Sequence, residues 1–211
     1  MRAALKILFF LLIVRPLVLI VIGLNISGRD KLPKKGPALV VANHNSHLDA
    51  LVLLSLFPLR MLKIVRPVAA ADYFFKNKWL KFFSQNVIDI IPIDRKLGSV
   101  KQDPLEPIEQ ALSAGQIAIL FPEGTRGEPE QLQEFKTGIA HLGARHPDVP
   151  IIPIFMHGLG KSLPRGEAIL VPFFCDVFIG AALSGGTDKK QLMQDLNAAF
   201  SALVKIGHFP E

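Results

Sequence analysis

The sequence ALVVANHNSHLDALVLLSL, residues 38–56, decides the fold of this chain. Its first five residues, 38–42, are a short continuous apolar run of the kind that forms a strand buried on both faces. A polar turn follows, and the apolar stretch 49–56 then predicts a helix that ends at Phe57-Pro58. A buried strand that leads through a polar turn into a helix is typical of α/β domains.

Similar short apolar runs recur along the chain and predict further strands, at residues 66–70, 87–93, 117–121, 149–155 and 168–179. Helical periodicity marks residues 106–113 and 189–203. Strands that alternate with helices predict an α/β fold with a mixed, mostly parallel sheet flanked by helices. The proline-punctuated run VPIIPI, 149–154, is expected at an edge of this sheet or as the wall of a pocket.

Length and composition are those of one folded domain with an appendage. The chain has 211 residues, of which half are apolar, and its 16 glycines and 16 prolines are too few for a low-complexity sequence. The single cysteine, Cys175, excludes an internal disulfide framework and any metal site built from several cysteines. We expect a membrane anchor over residues 1–28 and a catalytic domain over residues 29–211.

The net charge of +6 is concentrated near the N-terminus. Residues 1–40 alone carry +6, so the remaining residues are neutral in sum. Within that remainder a basic zone, 60–101, is cancelled by an acidic zone, 102–135. Nucleic-acid binding would predict basic and exposed aromatic residues interleaved along one groove, whereas here a long apolar run interrupts the first basic stretch. No nucleic-acid partner is therefore expected.

That apolar run, ILFFLLIVRPLVLIVIGL at residues 7–24, predicts insertion into a membrane. Its fifteen Leu, Ile, Phe and Val residues contribute about −4.5 to −9 kcal/mol, against about +2.5 to +3.5 kcal/mol for Arg15 at the centre. Pro16 removes a helical hydrogen bond beside that charge. We favour a kinked or two-helix monotopic insert with a turn at Arg15 over a single spanning helix, and both over a cleaved signal peptide.

The basic residues that follow the run predict which side of the membrane the domain occupies. They are Arg29, Lys31, Lys34 and Lys35. By the positive-inside rule, they would keep the domain at the cytoplasmic face, in contact with anionic headgroups of the phospholipid membrane. A buried core helix is disfavoured, because the run lacks an amphipathic period.

The turn NHNSHLD, residues 43–49, carries the first set of reactive side chains. His44 and Asp49 would be about 140° apart in a continuous helix, so they can meet only across a strand-to-helix turn. There the carboxylate could fix the tautomer of His44 and leave its other ring nitrogen as a base. Two alternatives stay open: Ser46 and Asp49 as a capping box, or His44, His47 and Asp49 as metal ligands.

A second set follows the strand predicted at 117–121, in the sequence FPEGTRG, residues 121–127. Gly124 permits a close approach of the backbone, and Thr125 and Arg126 offer donors to an anion. Glu123 would orient an arginine or a substrate hydroxyl, and Lys136 adds a second cation. Alternatively, the segment is a plain turn. Arg95, at the charged end of the strand predicted at 87–93, could reach the same pocket or lie in solvent.

These segments, in this order, resemble the glycerolipid acyltransferase superfamily, which contains the 1-acyl-glycerol-3-phosphate (lysophosphatidate) acyltransferases. The resemblance runs from about Gly28 to Gly180. Its four blocks are matched by HNSHLD from His44 to Asp49, IPIDR ending at Arg95, FPEGTR ending at Arg126 and VPIIPI ending at Ile154. One departure stands out, because relatives commonly carry a glycine shortly before the arginine of the second block, where this chain has Asn86 and Asp89.

The resemblance implies an O-acyltransferase in which His44 is the general base and Asp49 orients it, without an acyl-enzyme. The acceptor would be a lysophospholipid, most specifically 1-acyl-sn-glycerol-3-phosphate, and the donor an acyl-CoA or acyl carrier protein thioester. No cofactor and no metal are implied. The residues expected around the acceptor phosphate are Arg95, Glu123, Gly124, Thr125, Arg126 and Lys136.

Three other functions stay open at this point. The acceptor could be another lipid, such as lyso-ornithine lipid or a different lysophospholipid. A metal-dependent thioester or lipid hydrolase could use His44, His47 and Asp49. The chain could also be a non-catalytic membrane protein that binds anionic lipid through its basic N-terminus.

Overall fold

The computed structural model describes residues 2–46, 48–74, 77–94, 103–125, 127, 131–162 and 174–207. In this part of the chain, seven strands form one sheet. The strands are β1 (Leu24–Ser27), β2 (Ala38–Ala42), β3 (Val65–Ala70), β4 (Ile91–Ile93), β5 (Ile117–Leu120), β6 (Ile151–His157) and β7 (Cys175–Ile179). The α-helices are α1 (Arg2–Phe9), α2 (Asp49–Ser55), α3 (Ala71–Phe74), α4 (Lys78–Phe83), α5 (Glu106–Ser113), α6 (Gly138–Arg145), α7 (Leu159–Ser162) and α8 (Lys189–Ile206).

The sheet has the order β1-β7-β6-β2-β5-β3-β4. Neighbouring strands are parallel except for β6 and β7, which pair antiparallel. Alternate residues of β2 point to opposite faces: Val40 packs with α2 and the N-terminal helix, whereas Leu39 and Val41 pack with α5, α6 and α8. The predicted mixed, mostly parallel sheet flanked by helices is therefore confirmed.

The strand VPIIPI was expected at an edge of the sheet or as the wall of a pocket, and the edge position is wrong. β6 lies inside the sheet, between β2 and β7. The carbonyl oxygen of Pro153 accepts a hydrogen bond from Gly180 N at 2.8 Å, immediately after the end of β7 at Ile179. The proline thus lies where the ladder with β7 stops, and its missing N–H removes no bond between the two strands.

The N-terminal apolar run forms one helix that extends from residue 2 to residue 21. It begins as α1 and continues through two π-helical segments, Phe10–Val14 and Leu17–Val21. Arg15 and Pro16 both have right-handed helical dihedrals, so the turn expected at Arg15 is absent. The window Ala3–Ile20 is long and apolar enough to cross a membrane by length and composition.

One face of this N-terminal helix is buried against the domain, contrary to the expectation of a run without an amphipathic period. In an α-helix, positions four apart drift by about 40° at each step, and the wider π-helical turns offset this drift. The buried positions therefore form a straight stripe at every fourth residue: Lys6, Phe10, Val14, Val18 and Ile22.

Two basic side chains of the helix bind main-chain carbonyl groups of the domain. The side chain of Lys6 is 1% exposed, and its Nζ donates to Val65 O at 2.7 Å, at the start of β3. Arg15 Nη2 donates to Phe57 O at 3.1 Å, just beyond α2. Arg15 therefore faces the protein, and the helix is a packed part of the domain as well as an apolar segment.

The opposite face of the N-terminal helix joins an exposed aromatic helix. Phe9 contacts Phe83 of α4 with ring centroids 5.1 Å apart. We call the combined area the exposed apolar surface; it consists of Leu8, Leu11, Leu12, Ile13, Leu19, Ile20, Trp79, Phe82 and Phe83. Ile20 and Trp79 are more than 80% exposed. Contiguous apolar surface of this kind is characteristic of membrane and protein contacts.

The strand predicted at 87–93 begins later than expected, because residues Ser84–Ile88 form a π-helical turn. Asp89 then takes a left-handed conformation, with φ 59° and ψ 57°, and β4 begins at Ile91. This is the segment in which the relatives commonly carry glycine. Arg66 stabilises the turn by donating to the carbonyl oxygens of Asp89 and Ile90, and its guanidinium lies 3.3 Å from the Asp89 carboxylate.

Substitution of Asp89 should separate the cost of the left-handed backbone from the value of the ion pair. We expect Asp89→Ala to lower the free energy of unfolding by about 1–2 kcal/mol, because alanine adopts positive φ unfavourably. Asp89→Gly should cost less than about 1 kcal/mol, because only the partly exposed ion pair is lost. Urea unfolding in detergent, followed by circular dichroism, measures both variants; equal losses would contradict this explanation.

Candidate active site

The polar segments singled out in the sequence meet at one edge of the sheet. The carboxyl ends of the neighbouring parallel strands β6, β2 and β5 lie together there. β2 leads into His44, β5 leads into Glu123, and β6 ends at His157. Open α/β sheets commonly bind their ligands at this edge, because the loops that leave the strands surround a crevice.

His44 and Asp49 are in direct contact, as their position around a strand-to-helix turn predicted. Nδ1 of His44 lies 2.8 Å from Oδ2 of Asp49. The Asp49 carboxylate is fully buried, whereas about a fifth of the His44 side chain is exposed. Since a carboxylate accepts, Nδ1 carries the proton that is donated to it, and Nε2 has a free lone pair. This arrangement suits Nε2 for general-base chemistry.

Asp49 also closes the turn on which His44 lies. Its Oδ2 accepts hydrogen bonds from Asn45 N at 2.6 Å and Ser46 N at 2.8 Å. The bond to Ser46 N is the backward half of a capping box, but Oγ of Ser46 accepts from Leu48 N instead of from Asp49 N. The Asp49 carboxylate therefore caps the turn and contacts His44 at the same time. The alternative in which Asp49 is only a capping residue leaves out its contact with His44.

Two asparagines that were not predicted as site residues connect the turn to the neighbouring strand. Asn43 Nδ2 donates to Met156 O at 2.8 Å, and Asn43 Oδ1 accepts from Met156 N at 2.7 Å. Asn45 Nδ2 donates to the same carbonyl at 3.2 Å. Both asparagines are buried, so they hold the segment around His44 against β6. Only their position beside a histidine in a polar turn hinted at such a role.

Residues 121–127, which follow β5 and are called the FPEG segment, also contact His44. Glu123 Oε2 accepts from His44 N at 3.1 Å, and Gly127 N donates to His44 O at 3.2 Å. The ring of Phe121 stacks on the imidazole with centroids 4.2 Å apart and planes 20° apart. Both main-chain groups and the ring of His44 are thereby fixed by a segment almost eighty residues later in the chain.

Glu123 contacts the main chain of His44 and is shielded from solvent. Its side chain is 3% exposed, and Oε1 is 3.5 Å from Gln133 N. Burial raises the pKa of Glu123 to about 7, and the hydrogen bonds from His44 N and Gln133 N oppose this rise only in part. The sequence suggested a carboxylate that orients an arginine or a substrate hydroxyl; among the described residues, its contacts are with main-chain N–H groups.

The basic side chain of Lys136 covers Gly124. Gly124 has φ 73°, and a Cβ built on it would lie 2.7 Å from Nζ of Lys136, so a side chain at this position would displace the lysine. Thr125 and Lys136 are exposed next to it. Arg95 and Arg126, the two arginines expected around the acceptor phosphate, lie outside the described residues.

The metal alternative required a third ligand in addition to His44 and Asp49. That residue, His47, also lies outside the described residues. Within the described ranges, no three His, Cys, Asp or Glu side chains are grouped as metal ligands. His44 and Asp49 face each other through a hydrogen bond, and Oδ2 of Asp49 already accepts from three N–H groups.

Comparison of the fold with solved structures supports the same architecture. The chain superimposes with a TM-score of 0.76 on a crystal structure from Thermotoga maritima, titled the 1-acyl-sn-glycerophosphate (LPA) acyltransferase PlsC. The match covers 99% of this chain and 81% of that one, at 18% sequence identity. At this identity the likeness establishes the fold.

Two curated relatives have similar sequences. The chloroplastic 1-acyl-sn-glycerol-3-phosphate acyltransferase LPAT1 of Arabidopsis thaliana is 32% identical over 149 residues, which are 70% of this chain and 40% of that protein. A probable 1-acyl-sn-glycerol-3-phosphate acyltransferase of Mycoplasma pneumoniae is 37% identical over 134 residues, which are 63% and 48% of the two chains. The chain thus spans about half the length of these relatives.

The sequence profile of the Acyltransferase family matches residues 23–157. This range contains the His44–Asp49 pair, the FPEG segment that holds it and the whole of β6. The profile therefore covers well over half of the chain and every described element of the candidate active site. The chain belongs to the Acyltransferase family.

Proposed function

We propose that the protein transfers a fatty acyl group from a thioester, acyl-CoA or acyl carrier protein, to the free hydroxyl of a lysophospholipid. The most specific form of the proposal has 1-acyl-sn-glycerol-3-phosphate as the acceptor and phosphatidate as the product, in agreement with the names of the relatives. The observation that carries the proposal is the 2.8 Å contact between His44 Nδ1 and Asp49 Oδ2, which leaves Nε2 as a base at the crevice.

The proposed reaction needs one base and no acyl-enzyme. Nε2 of His44 takes the proton of the acceptor hydroxyl as the oxygen attacks the thioester carbonyl carbon. The buried Asp49 carboxylate stabilises the imidazolium that forms. When the carbon–sulfur bond breaks, the imidazolium returns its proton to the leaving thiolate, so that an ester and a free thiol are produced.

The acceptor phosphate is assigned to three basic residues that the sequence resemblance selects. Arg95, Arg126 and Lys136 supply positive charge, and guanidinium groups form bidentate hydrogen bonds with phosphate oxygens. Thr125, next to Gly124 in the chain, offers an exposed hydroxyl. Glu123 and Gly124 shape this region indirectly: Glu123 by bonding the main chain of His44, and Gly124 by leaving room for Lys136.

We assign the exposed apolar surface to one leaflet of a membrane. A helix that crossed the bilayer would have to leave the domain, which would expose the stripe from Phe10 to Ile22 and break the hydrogen bond between Lys6 and Val65. If the helix lies in the leaflet instead, its buried face stays packed against the domain and its exposed face contacts lipid. The exposed aromatic residues of α4 lie at the same interface. The proposal therefore retains the monotopic insertion expected from the sequence, but not the turn expected at Arg15.

The side of the membrane follows from the charge after the N-terminal helix. The basic residues that follow it are Arg29, Lys31, Lys34 and Lys35. An anionic cytoplasmic leaflet attracts such clusters, at about 1 kcal/mol for each basic residue near the surface. The domain is therefore proposed to face the cytoplasm.

One assay tests the acyltransferase proposal directly. Purified protein is given labelled lysolipids with and without a terminal phosphate, together with CoA or carrier-protein thioesters, in the presence of a chelator, and the products are identified by mass. We expect phosphatidate from the lysophosphatidate arm, and a loss of about 10²–10⁴-fold in His44→Ala, because the general base is removed.

The matched control is His141→Ala, which removes a half-buried histidine of α6 whose ring contacts Lys189. It should retain the wild-type rate. Full turnover in His44→Ala would eliminate the proposed mechanism. Free fatty acid as the main product, abolished by the chelator, would indicate a metal-dependent hydrolase instead.

The raised pKa of Glu123 predicts a pH dependence of stability. The folded protein binds this proton up to about pH 7, whereas the unfolded chain releases it near pH 4.5, so stability should fall as the pH rises between these values. For one proton the slope is at most about 1.4 kcal/mol per pH unit. Glu123→Gln, which cannot ionise, should remove this contribution from the unfolding free energy measured by urea titration at several pH values.

The control for this experiment is Glu134→Gln, which neutralises an exposed carboxylate of the neighbouring segment. Its pH profile should follow that of the wild-type protein. If Glu123→Gln also followed the wild-type profile, the ionisation of Glu123 would not contribute to stability in this range.

The membrane arrangement can be tested with the single tryptophan of the chain, Trp79. We expect its fluorescence to be quenched by brominated phospholipids, because it is 82% exposed on the apolar surface. Sidedness is read from Ala3→Cys in sealed vesicles, since the native Cys175 is buried. An impermeant maleimide should label position 3 from the same side as the domain. Labelling from the opposite side would establish a spanning helix.

A further inference from the structure

A cavity of about 360 Å³ lies between the second half of the N-terminal helix, β1 and the C-terminal end of α2. Its volume falls within the range of about 300–1,000 Å³ that is usual for small-molecule sites. Four apolar side chains and two arginines line most of it: Val18, Leu19, Ile26, Leu56, Arg15 and Arg29. Leu24 and Ser55 complete the lining, so the cavity is amphipathic, with two cations and one hydroxyl in a mainly apolar wall.

The two guanidinium groups approach the end of the same helix. Arg15 Nη2 donates to Phe57 O at 3.1 Å, and Arg29 Nη2 is 3.4 Å from Leu56 O. Within the described residues, neither group lies within 4 Å of a carboxylate. A guanidinium has five N–H donors, so most of the donors on both arginines have no described protein acceptor.

This charge arrangement favours an anion with several acceptor oxygens. The carbonyl groups at the end of α2 carry only partial negative charge, which offsets a fraction of the two full positive charges. A phosphate group could accept from both guanidinium groups at once, in the bidentate geometry that arginine favours. Phosphate is thus the chemistry that complements the polar part of the cavity.

The apolar part of the cavity indicates that the phosphate belongs to a lipid. Leu19 lines the cavity and is 70% exposed, and the adjacent Ile20 is 81% exposed, so the opening lies beside the exposed apolar surface. A soluble phosphate ion would leave the exposed Leu19 and the partly buried Ile26 in contact with water. An acyl chain that continues from the phosphate would cover these side chains and extend into the leaflet.

We propose that this cavity binds the phosphate of one membrane phospholipid with an anionic headgroup. The site is distinct from the acceptor site, because the seven residues of α2 place about 10 Å along its axis between Asp49 and the arginines. The proposal rests on the assignment of the exposed apolar surface to a membrane, but not on acyl transfer. The bound lipid is a structural ligand that joins the N-terminal helix to the end of α2.

The test counts lipids bound to the full-length protein in the absence of any acyl donor. Dioleoyl phosphatidylglycerol is titrated into the protein in dodecyl maltoside micelles, and bound lipid is measured by native mass spectrometry. We expect one saturable phosphatidylglycerol per chain, weaker binding of dioleoyl phosphatidylcholine, and no displacement by millimolar inorganic phosphate. Because turnover is not measured, the outcome does not depend on whether the protein is an acyltransferase.

Two variants with the same change in charge separate the cavity from general surface attraction. Arg29→Gln removes a cavity guanidinium whose only described contact is long, and Lys35→Gln removes an exposed charge six residues later, outside the cavity. Arg29→Gln should weaken phosphatidylglycerol binding about tenfold, whereas Lys35→Gln, which removes only the diffuse attraction of an exposed charge, should weaken it about twofold or less.

Three results would overturn the proposal: unchanged binding in Arg29→Gln, equal losses in the two variants, or displacement of the lipid by inorganic phosphate. The first would remove the arginines from any lipid site. The second would indicate diffuse attraction to the basic N-terminal region, and the third a site for a free anion. Thermal unfolding of Arg29→Gln in detergent verifies that the variant is folded.

Discussion

The candidate active site depends on the placement of one buried carboxylate oxygen, Oδ2 of Asp49. Burial of a charged carboxylate away from water costs free energy unless hydrogen bonds replace its hydration. Here three N–H groups donate to the same oxygen. Two of them belong to the main chain of the turn and one to the ring of His44. The bonds that make burial tolerable are therefore the same bonds that orient the imidazole, so the stability of the turn and the geometry of the base are inseparable.

The helix α2 transmits this arrangement across the domain. Its first residue is Asp49, and the carbonyl groups just beyond its last residue accept from Arg15 and Arg29. One end of a seven-residue helix thus holds the proposed base, while the other end contacts the N-terminal helix and the residues that follow it. A displacement of the N-terminal helix would therefore act on the candidate active site through this short helix.

The sequence predicted the local features well, because they depend on neighbouring residues. The strand at 38–42, the meeting of His44 with Asp49 and the helix at 106–113 all follow from patterns within a few positions. The interior position of β6 could not be predicted, since the cost of Pro153 depends on where β7 ends. The contact of Glu123 could not be predicted either, because its partner is a main-chain N–H group 79 residues away.

The buried face of the N-terminal helix could not be predicted from its uniformly apolar composition. Its contact with the domain also depends on distant residues, since Lys6 donates to a carbonyl group 59 residues later. The positions of Arg95 and Arg126 stay predictions.

The long sequence separation of these contacts has a consequence for the order of synthesis. The N-terminal helix leaves the ribosome before its partners in the domain: Val65, which accepts from Lys6, follows Lys6 by 59 residues, and Asp176, the partner of Asn25, follows Asn25 by 151 residues. Until those strands exist, the buried stripe of the helix has no protein surface to cover it. If the helix lies in a leaflet as proposed, lipid would cover all of its faces at first, and one face would exchange lipid for the domain as the sheet assembles beside it.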